Sequence, residues 1–171
     1  MRDNKVPVHI ALLPVLAALV STSCTFEVIP PPPSITVAFV SFHGRYVTAL
    51  EEADWRLTQE TELGPCGRFI LHRLVNGKVA LETCFGRYIA APSGCDSRRG
   101  CILRQESELG DAEQFDLYEL GNDTVAFRTY EERFFTAGND GLGWEGELAW
   151  SVIAETKILD DWEKFTLLEQ P

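Results

Sequence analysis

Four cysteines in this 171-residue sequence could form covalent cross-links: Cys66, Cys84, Cys95 and Cys101. An even set of cysteines in an oxidising compartment predicts disulfides, and four cysteines leave three pairings open. Cys95 and Cys101 bracket a tight polar loop, so we expect these two to be joined. A zinc site is disfavoured because the spacings lack a paired Cys-x-x-Cys arrangement.

Cys66 and Cys84 flank a predicted β-hairpin. Asn76-Gly77 suits a two-residue turn, and counting back from that turn places Cys84 opposite Phe69. Cys66 lies three residues before Phe69. A bulge in the strand would therefore be needed to join the two cysteines.

Other side chains give little sign of catalysis. Apart from His9 near the amino terminus, the histidines are His43 and His72, and neither lies in a recognisable nucleophile motif. The carboxylates of residues 51–54 form a local acidic loop, which is a poor basis for an acid/base pair. The sequence therefore predicts a protein that is not an enzyme and needs no metal or other cofactor.

A glycine-rich insertion at residues 138–150 is the best candidate for ligand binding. Binding residues concentrate in loops on a rigid scaffold. Here Trp144 lies near Asn139, Asp140 and Glu145, a combination that suits stacking on a sugar or anchoring a protein partner. The acidic spacing does not match a calcium-binding loop.

The elements that would hold these loops come from a three-fold repeat. Three similar tripeptides each begin nine residues ahead of an aromatic residue: Val37-Ala38-Phe39 before Tyr46, Val79-Ala80-Leu81 before Tyr88, and Val125-Ala126-Phe127 before Phe134. A second set stands twelve residues before a phenylalanine: Leu57 before Phe69, Leu103 before Phe115, and Ile153 before Phe165. Self-similarity at a fixed period indicates the architecture more strongly than any local pattern, and here it predicts one domain built from three similar units. Trp150, three residues before Ile153, is expected to be buried.

Local patterning within each unit is β. Short runs rich in aromatic and β-branched residues are separated by Gly, Pro, Asn or Asp. The repeated phenylalanines each begin a Phe-x-Leu alternation, which is typical of a strand with one buried face. We predict an all-β domain with four strands in each unit and twelve in total.

The pattern resembles the β-trefoil, and within it the fascin-like group. The likeness depends on Gly44-Arg45-Tyr46, Gly86-Arg87-Tyr88 and the closing segment 162–167. The third unit departs from this pattern, because Glu131-Glu132-Arg133-Phe134 stands where the other units have a glycine in the turn. It covers residues 37–171, divided into repeats 37–78, 79–124 and 125–171. The resemblance implies a six-stranded barrel capped by three hairpins, with function in the loops. Actin crosslinking is not carried over, and the Gln-x-Trp signature of ricin-type lectins is absent from the sequence.

The first 23 residues predict an export signal: a positive end, an apolar run and then small residues. The run of 15 residues from Val6 to Val20 is shorter than the roughly 20 that a membrane-spanning helix needs. The stretch before Cys24 resembles the lipobox of a bacterial lipoprotein, which predicts lipidation of Cys24 and a membrane anchor. Residues 24–36, with four consecutive prolines, would form a stiff tether. Free secretion is the alternative.

Charge narrows the choice of partner. The formal net charge is −11, and an acidic surface repels phosphate, which argues against nucleic acid. We therefore predict an exported, non-enzymatic module that binds a protein or a carbohydrate. The alternative is an inhibitor of a secreted protease, acting through Arg98-Arg99 in the loop between Cys95 and Cys101.

Overall fold

The computed structural model describes residues 33–52, 55–94, 101–139 and 149–171. Within these residues the regular structure consists of short strands and single 3₁₀ turns. The strands are β1 Ile35–Ser41, β2 Tyr46–Ala49, β3 Leu57–Glu60, β4 Phe69–Arg73, β5 Val79–Glu82, β6 Tyr88–Ala90, β7 Cys101–Ile102, β8 Arg104–Glu106, β9 Asp116–Gly121, β10 Thr124–Arg128, β11 Phe135–Ala137, β12 Val152–Ala154 and β13 Phe165–Glu169. The turns are Pro65–Gly67, Asp111–Glu113 and Asp161–Glu163. β7 and β8 are separated only by Leu103, so the count agrees with the twelve predicted strands.

Six antiparallel strands form a barrel. β1 pairs with β4 and β13, β4 pairs with β5, and β10 pairs with β13 and β9. A bridge between Val79 and Phe115 joins β5 to the start of β9, with backbone N–H to O distances of 2.9 Å in both directions. Two hairpins, β2–β3 and β11–β12, and the pair β6–β8 occupy equivalent places in the three units.

The three repeated phenylalanines form the centre of the core. Phe69, Phe115 and Phe165 are all buried, as the sequence predicted. Aromatic rings pack around them in edge-to-face and tilted pairs, with the ring centroids of Phe115 and Phe135 4.8 Å apart. Such aromatic contacts add stability beyond the buried area itself, so this layer is where the chain is most sensitive to truncation.

The turn after the first strand of each unit keeps one geometry. Gly44 donates its N–H to the Ser41 carbonyl, and Gly86 donates to the Thr83 carbonyl in the same way. In the third unit Glu132 donates to Thr129, at 2.9 Å, although no glycine is present. The departure at Glu131 to Phe134 therefore changes the residue type and leaves the turn shape intact.

The hairpin between β4 and β5 differs from the predicted two-residue turn. Leu74 donates its N–H to the Lys78 carbonyl at 2.8 Å, which leaves three residues in the loop, and Gly77 has a φ of 82°. The extra residue moves the strand register by one, so that Ile70 lies opposite Glu82. The predicted cross-link is confirmed nonetheless: Cys66 and Cys84 form a disulfide with their Cα atoms 5.0 Å apart.

The alignment of the third unit also needs correction. Ala49 pairs with Leu57 in the first unit and Ala137 pairs with Val152 in the third, so Val152 is the equivalent of Leu57. Ile153, which the sequence repeat selected, is buried but lies outside the main core cluster. The cause is an extra residue later in the strand, where Glu155 and Thr156 both face Phe134.

None of the described segments contains a helix long and apolar enough to cross a membrane. The predicted leader at residues 1–23, Cys24 and the first part of the tether lie outside the described residues.

Candidate functional site

An open cleft of about 520 Å³ lies beside the third unit. It is lined by the turn after β1, by residues of β11 and by the segment that leads into β13. Clefts of this size with an apolar wall and a few polar groups are the usual form of a ligand site. The lining residues fall into an apolar wall and a polar floor, and we refer to the whole as the third-unit cleft.

The apolar wall consists of Phe42, Ile158 and Trp162. Phe42 is 58% exposed and Ile158 is 74% exposed, which is unusual for such large apolar side chains. Phe42 follows directly after Ser41, which pairs with Phe165 on β13, and this pairing brings Phe42 close to the turn containing Trp162. The barrel register thus assembles the wall from the two ends of the domain.

His43 packs behind this wall. Its ring lies 5.7 Å from Phe42 and 5.5 Å from Trp162 between centroids. It also lies 5.8 Å from Trp150, and its Nε2 donates a hydrogen bond to the carbonyl of Ala137 at 3.0 Å. His43 is therefore hydrogen-bonded and packed among aromatic rings.

Glu163 and Asp161 form one part of the polar floor, and both are engaged in internal bonds. Glu163 is buried, and its carboxylate accepts hydrogen bonds from the Asp160 N–H and the Thr136 hydroxyl, each at 2.9 Å. Asp161 pairs with Lys164 at 2.9 Å, and this hydrogen bond raises the pKa of Lys164 above its ordinary value. These contacts hold the 3₁₀ turn that presents Trp162.

Glu155 is the remaining half-buried carboxylate of the floor. It donates its N–H to the Phe134 carbonyl at 3.2 Å, while the neighbouring Thr156 carbonyl accepts the Phe134 N–H at 2.7 Å. Two residues facing one define a β-bulge, and bulges redirect side chains. Burial raises the pKa of Glu155, the charge of Glu163 raises that pKa further, and Arg133 acts against both.

Of the four binding residues predicted in the insertion, one lies within the described residues. Trp144, Asp140 and Glu145 lie outside the described residues, and Asn139 is half-buried at the end of a described segment. The base of the insertion is described: Gly138 donates its N–H to the Ser151 carbonyl at 3.0 Å. The predicted ligand contact at Trp144 therefore stays a prediction.

The structure shows how the two ends of that insertion are held. The buried Gln59 side chain donates to the Gly138 carbonyl at 2.7 Å and to the Trp150 carbonyl at 3.1 Å. Trp150 is half-buried rather than fully buried, and the Arg45 guanidinium lies over its ring, 3.8 Å from the centroid. The cation–π contact thus replaces the plain core packing that was predicted.

The same arrangement recurs one unit later. Gln105 donates to the carbonyls of Leu50 and Trp55, and the Arg87 guanidinium lies 4.4 Å from the Trp55 ring centroid. Both tryptophans have a positive φ, of 58° for Trp55 and 65° for Trp150. These features belong to the scaffold, and sequence comparison of the units did not reveal them because the loops differ in length.

Arg45, Arg87 and Arg133 recur at one position of the three units, and this recurrence predicts pairing with a nearby carboxylate or carbonyl instead of a shared ligand role. Arg87 donates to the Gln105 carbonyl through Nε and Nη2, and Arg133 donates to the Glu155 carbonyl. The prediction is confirmed for these two, whereas Arg45 stacks on Trp150.

The remaining predicted residues give no second site. His72 contacts Glu82 at 2.8 Å on a half-exposed surface. Cys101 is buried at the start of β7 and is disulfide-bonded, while Cys95 and the Arg98-Arg99 loop lie outside the described residues. The Cys95 to Cys101 pairing stays a prediction. Across the described segments, no three His, Cys, Asp or Glu side chains are grouped to hold a metal ion.

Comparison with known proteins defines the fold. No protein-family model matches the sequence, and no curated protein is significantly similar to it. Among solved structures, the designed three-fold symmetric protein ThreeFoil superposes with a TM-score of 0.65 at 17% identity, over 79% of this chain and 99% of that one. The fold of this chain is therefore a β-trefoil, as predicted.

Two further solved structures share the fold. A Culex salivary protein of the cysteine- and tryptophan-rich family has a TM-score of 0.62 at 14% identity, over 81% of this chain and 95% of that one. SeviL, solved with the asialo-GM1 saccharide, has a TM-score of 0.60 at 10% identity, over 80% of this chain and 98% of that one. At these identities the likeness establishes the fold alone.

Proposed function

We propose that this protein is a non-enzymatic carbohydrate-binding module, and that the third-unit cleft holds the sugar. The single observation that carries the proposal is the apolar wall of exposed Phe42 and Ile158 and half-buried Trp162, beside a floor of carboxylates and hydroxyls. Aromatic faces stack on the apolar face of a sugar ring, and carboxylates accept hydrogen bonds from its hydroxyls. A trefoil solved with a bound saccharide supports a ligand of this class.

A glycan array with the purified full-length protein tests this function. We expect binding to a restricted set of glycans, and Phe42→Ala should weaken it at least about tenfold, since the aromatic contact would be lost. Tyr130→Ala is a matched control, because Tyr130 follows Thr129 as Phe42 follows Ser41, is similarly exposed and does not line the cleft. Equal binding by wild type and Phe42→Ala would exclude this cleft, and an array without any bound glycan would exclude the function.

We further propose that the module acts outside the cytoplasm and is held at a membrane through lipidated Cys24. Sequence alone supports this: the export signal, the small residues before Cys24 and the proline-rich tether at residues 24–36. Cys24→Ala should move the protein from the membrane fraction to the soluble fraction without changing its melting temperature. Mass spectrometry of the mature amino terminus decides between a lipid anchor and free secretion.

A further inference from the structure

We propose, on the basis of the carbohydrate-binding function above, that the third-unit cleft prefers sugars with a free amino group to neutral sugars and rejects acidic ones, with Glu155 setting that preference. Three features of the cleft support this preference: the position of Glu155 at a bulge, the hydrogen bonds made by the neighbouring carboxylates, and the negative charge of the lining.

The bulge distinguishes the third unit from the other two. In the first unit Tyr46 faces Glu60, and in the second unit Tyr88 faces Glu106, each in regular pairing. Glu60 and Glu106 are exposed, whereas Glu155 is half-buried and lines the cleft. The extra residue in the strand thus accompanies a glutamate that lines the cleft, where the equivalent glutamates of the other two units are exposed.

Glu155 also differs from the other three lining carboxylates in its hydrogen bonding. Glu163 accepts two internal hydrogen bonds, Asp161 is paired with Lys164, and Asp160 accepts the Asp161 N–H at 2.9 Å. The Glu155 side-chain oxygens make no hydrogen bond to any residue in the described part of the chain. A half-buried carboxylate that faces the cleft without a protein donor suits a ligand that supplies a positive hydrogen-bond donor.

The charge of the cleft lining also favours a positively charged sugar. Four carboxylates line the cleft, and the described lining residues include no Lys, Arg or His. The positive groups next to the cleft are engaged by other residues or by backbone: Lys157 pairs with Glu132, Lys164 pairs with Asp161, and Arg133 donates to the Glu155 backbone carbonyl. An ammonium group is attracted both by the carboxylates and by the faces of Phe42 and Trp162, while a sugar carboxylate or sulfate is repelled.

Calorimetry with three oligosaccharides of one length and linkage tests the proposal. The set consists of β-linked glucosamine, N-acetylglucosamine and glucuronate, measured with the full-length protein at a pH where the amine is protonated. We expect the glucosamine oligomer to bind at least tenfold more tightly than the acetylated one, and the uronate not to bind. Equal affinity for the amine and acetylated forms, or binding of the uronate, would overturn the proposal. Failure of all three sugars, together with an empty glycan array, would instead refute the carbohydrate function.

Two variants assign the preference to Glu155. Glu155→Gln keeps the shape of the side chain, and it should reduce the amine preference, measured as the ratio of the two affinities, to below about twofold. Glu106→Gln at the exposed, regularly paired position should bind all three sugars as the wild type does. An unaltered amine preference in Glu155→Gln would remove Glu155 from the proposal. A lysine oligomer that binds more tightly than the glucosamine oligomer would show that the cleft takes a basic peptide instead.

Discussion

Glu132 occupies in the third unit the turn position that Gly44 occupies in the first, and both have a left-handed backbone conformation. Their φ angles are 63° and 72°, and both donate a backbone hydrogen bond to the residue three positions earlier. Glycine adopts this conformation at little cost, whereas a residue with a side chain loses about 1 kcal/mol or more. The fold therefore imposes the turn on the third unit against the preference of its sequence.

Glu132→Gly should raise the free energy of unfolding by about 0.5–1 kcal/mol, because relief of the left-handed strain exceeds the entropy that glycine loses on folding. Loss of the exposed contact to Lys157 at 3.4 Å should matter little. Urea unfolding measures the change. Glu131→Gly, at a neighbouring residue without a positive φ, should lower stability. A destabilised Glu132→Gly variant would show that the turn is unstrained.

Phe115→Ala should lower the free energy of unfolding by about 3–5 kcal/mol, because it empties part of the central aromatic layer. Val75→Ala is the comparison: Val75 is 91% exposed in the β4–β5 loop, so its truncation should change stability by less than about 0.5 kcal/mol. Denaturant titration of both variants gives the values. Similar small losses at the two positions would contradict the central place of Phe115 in the core.

Removal of the disulfide by Cys66→Ser together with Cys84→Ser should cost about 3 kcal/mol by the loop-entropy estimate, since the cysteines are 18 residues apart. Thermal melts of the double variant and the wild type measure the loss as a lower melting temperature. If the double variant melts as the wild type does, the cross-link adds nothing to stability.

Glu155→Gln should stabilise the protein at neutral pH. The pKa of Glu155 is raised in the folded state, so its ionisation opposes folding, and the stability it contributes is present below the ordinary value of 4.5 and lost as pH rises through the folded pKa. The gain from Gln should therefore be largest at neutral pH and should vanish below the ordinary pKa. Thermal melts of both proteins from acid to neutral pH would show this. A gain that does not depend on pH would mean that the charge of Glu155 is not its cause.

The sequence by itself determined the three-fold architecture and its core. Phe69, Phe115 and Phe165 are buried at equivalent positions because each unit repeats the same alternation, and burial of alternate residues is a local property of a strand. The sequence also indicated the Cys66 to Cys84 cross-link. It failed at the β4–β5 turn and at Ile153, because a single extra residue in a loop or a bulge moves the register without disturbing the apolar pattern nearby.

The third-unit cleft was decided only by the tertiary structure. Phe42 and Trp162 are 120 residues apart in the sequence, and they line one wall because β1 and β13 pair with Ser41 opposite Phe165. Glu155 reaches the same cleft through a bulge opposite Phe134, although its sequence neighbours resemble those of any exposed strand end. Closure of the barrel brings the two ends of the domain together, and no local pattern in the sequence specifies which side chains then meet.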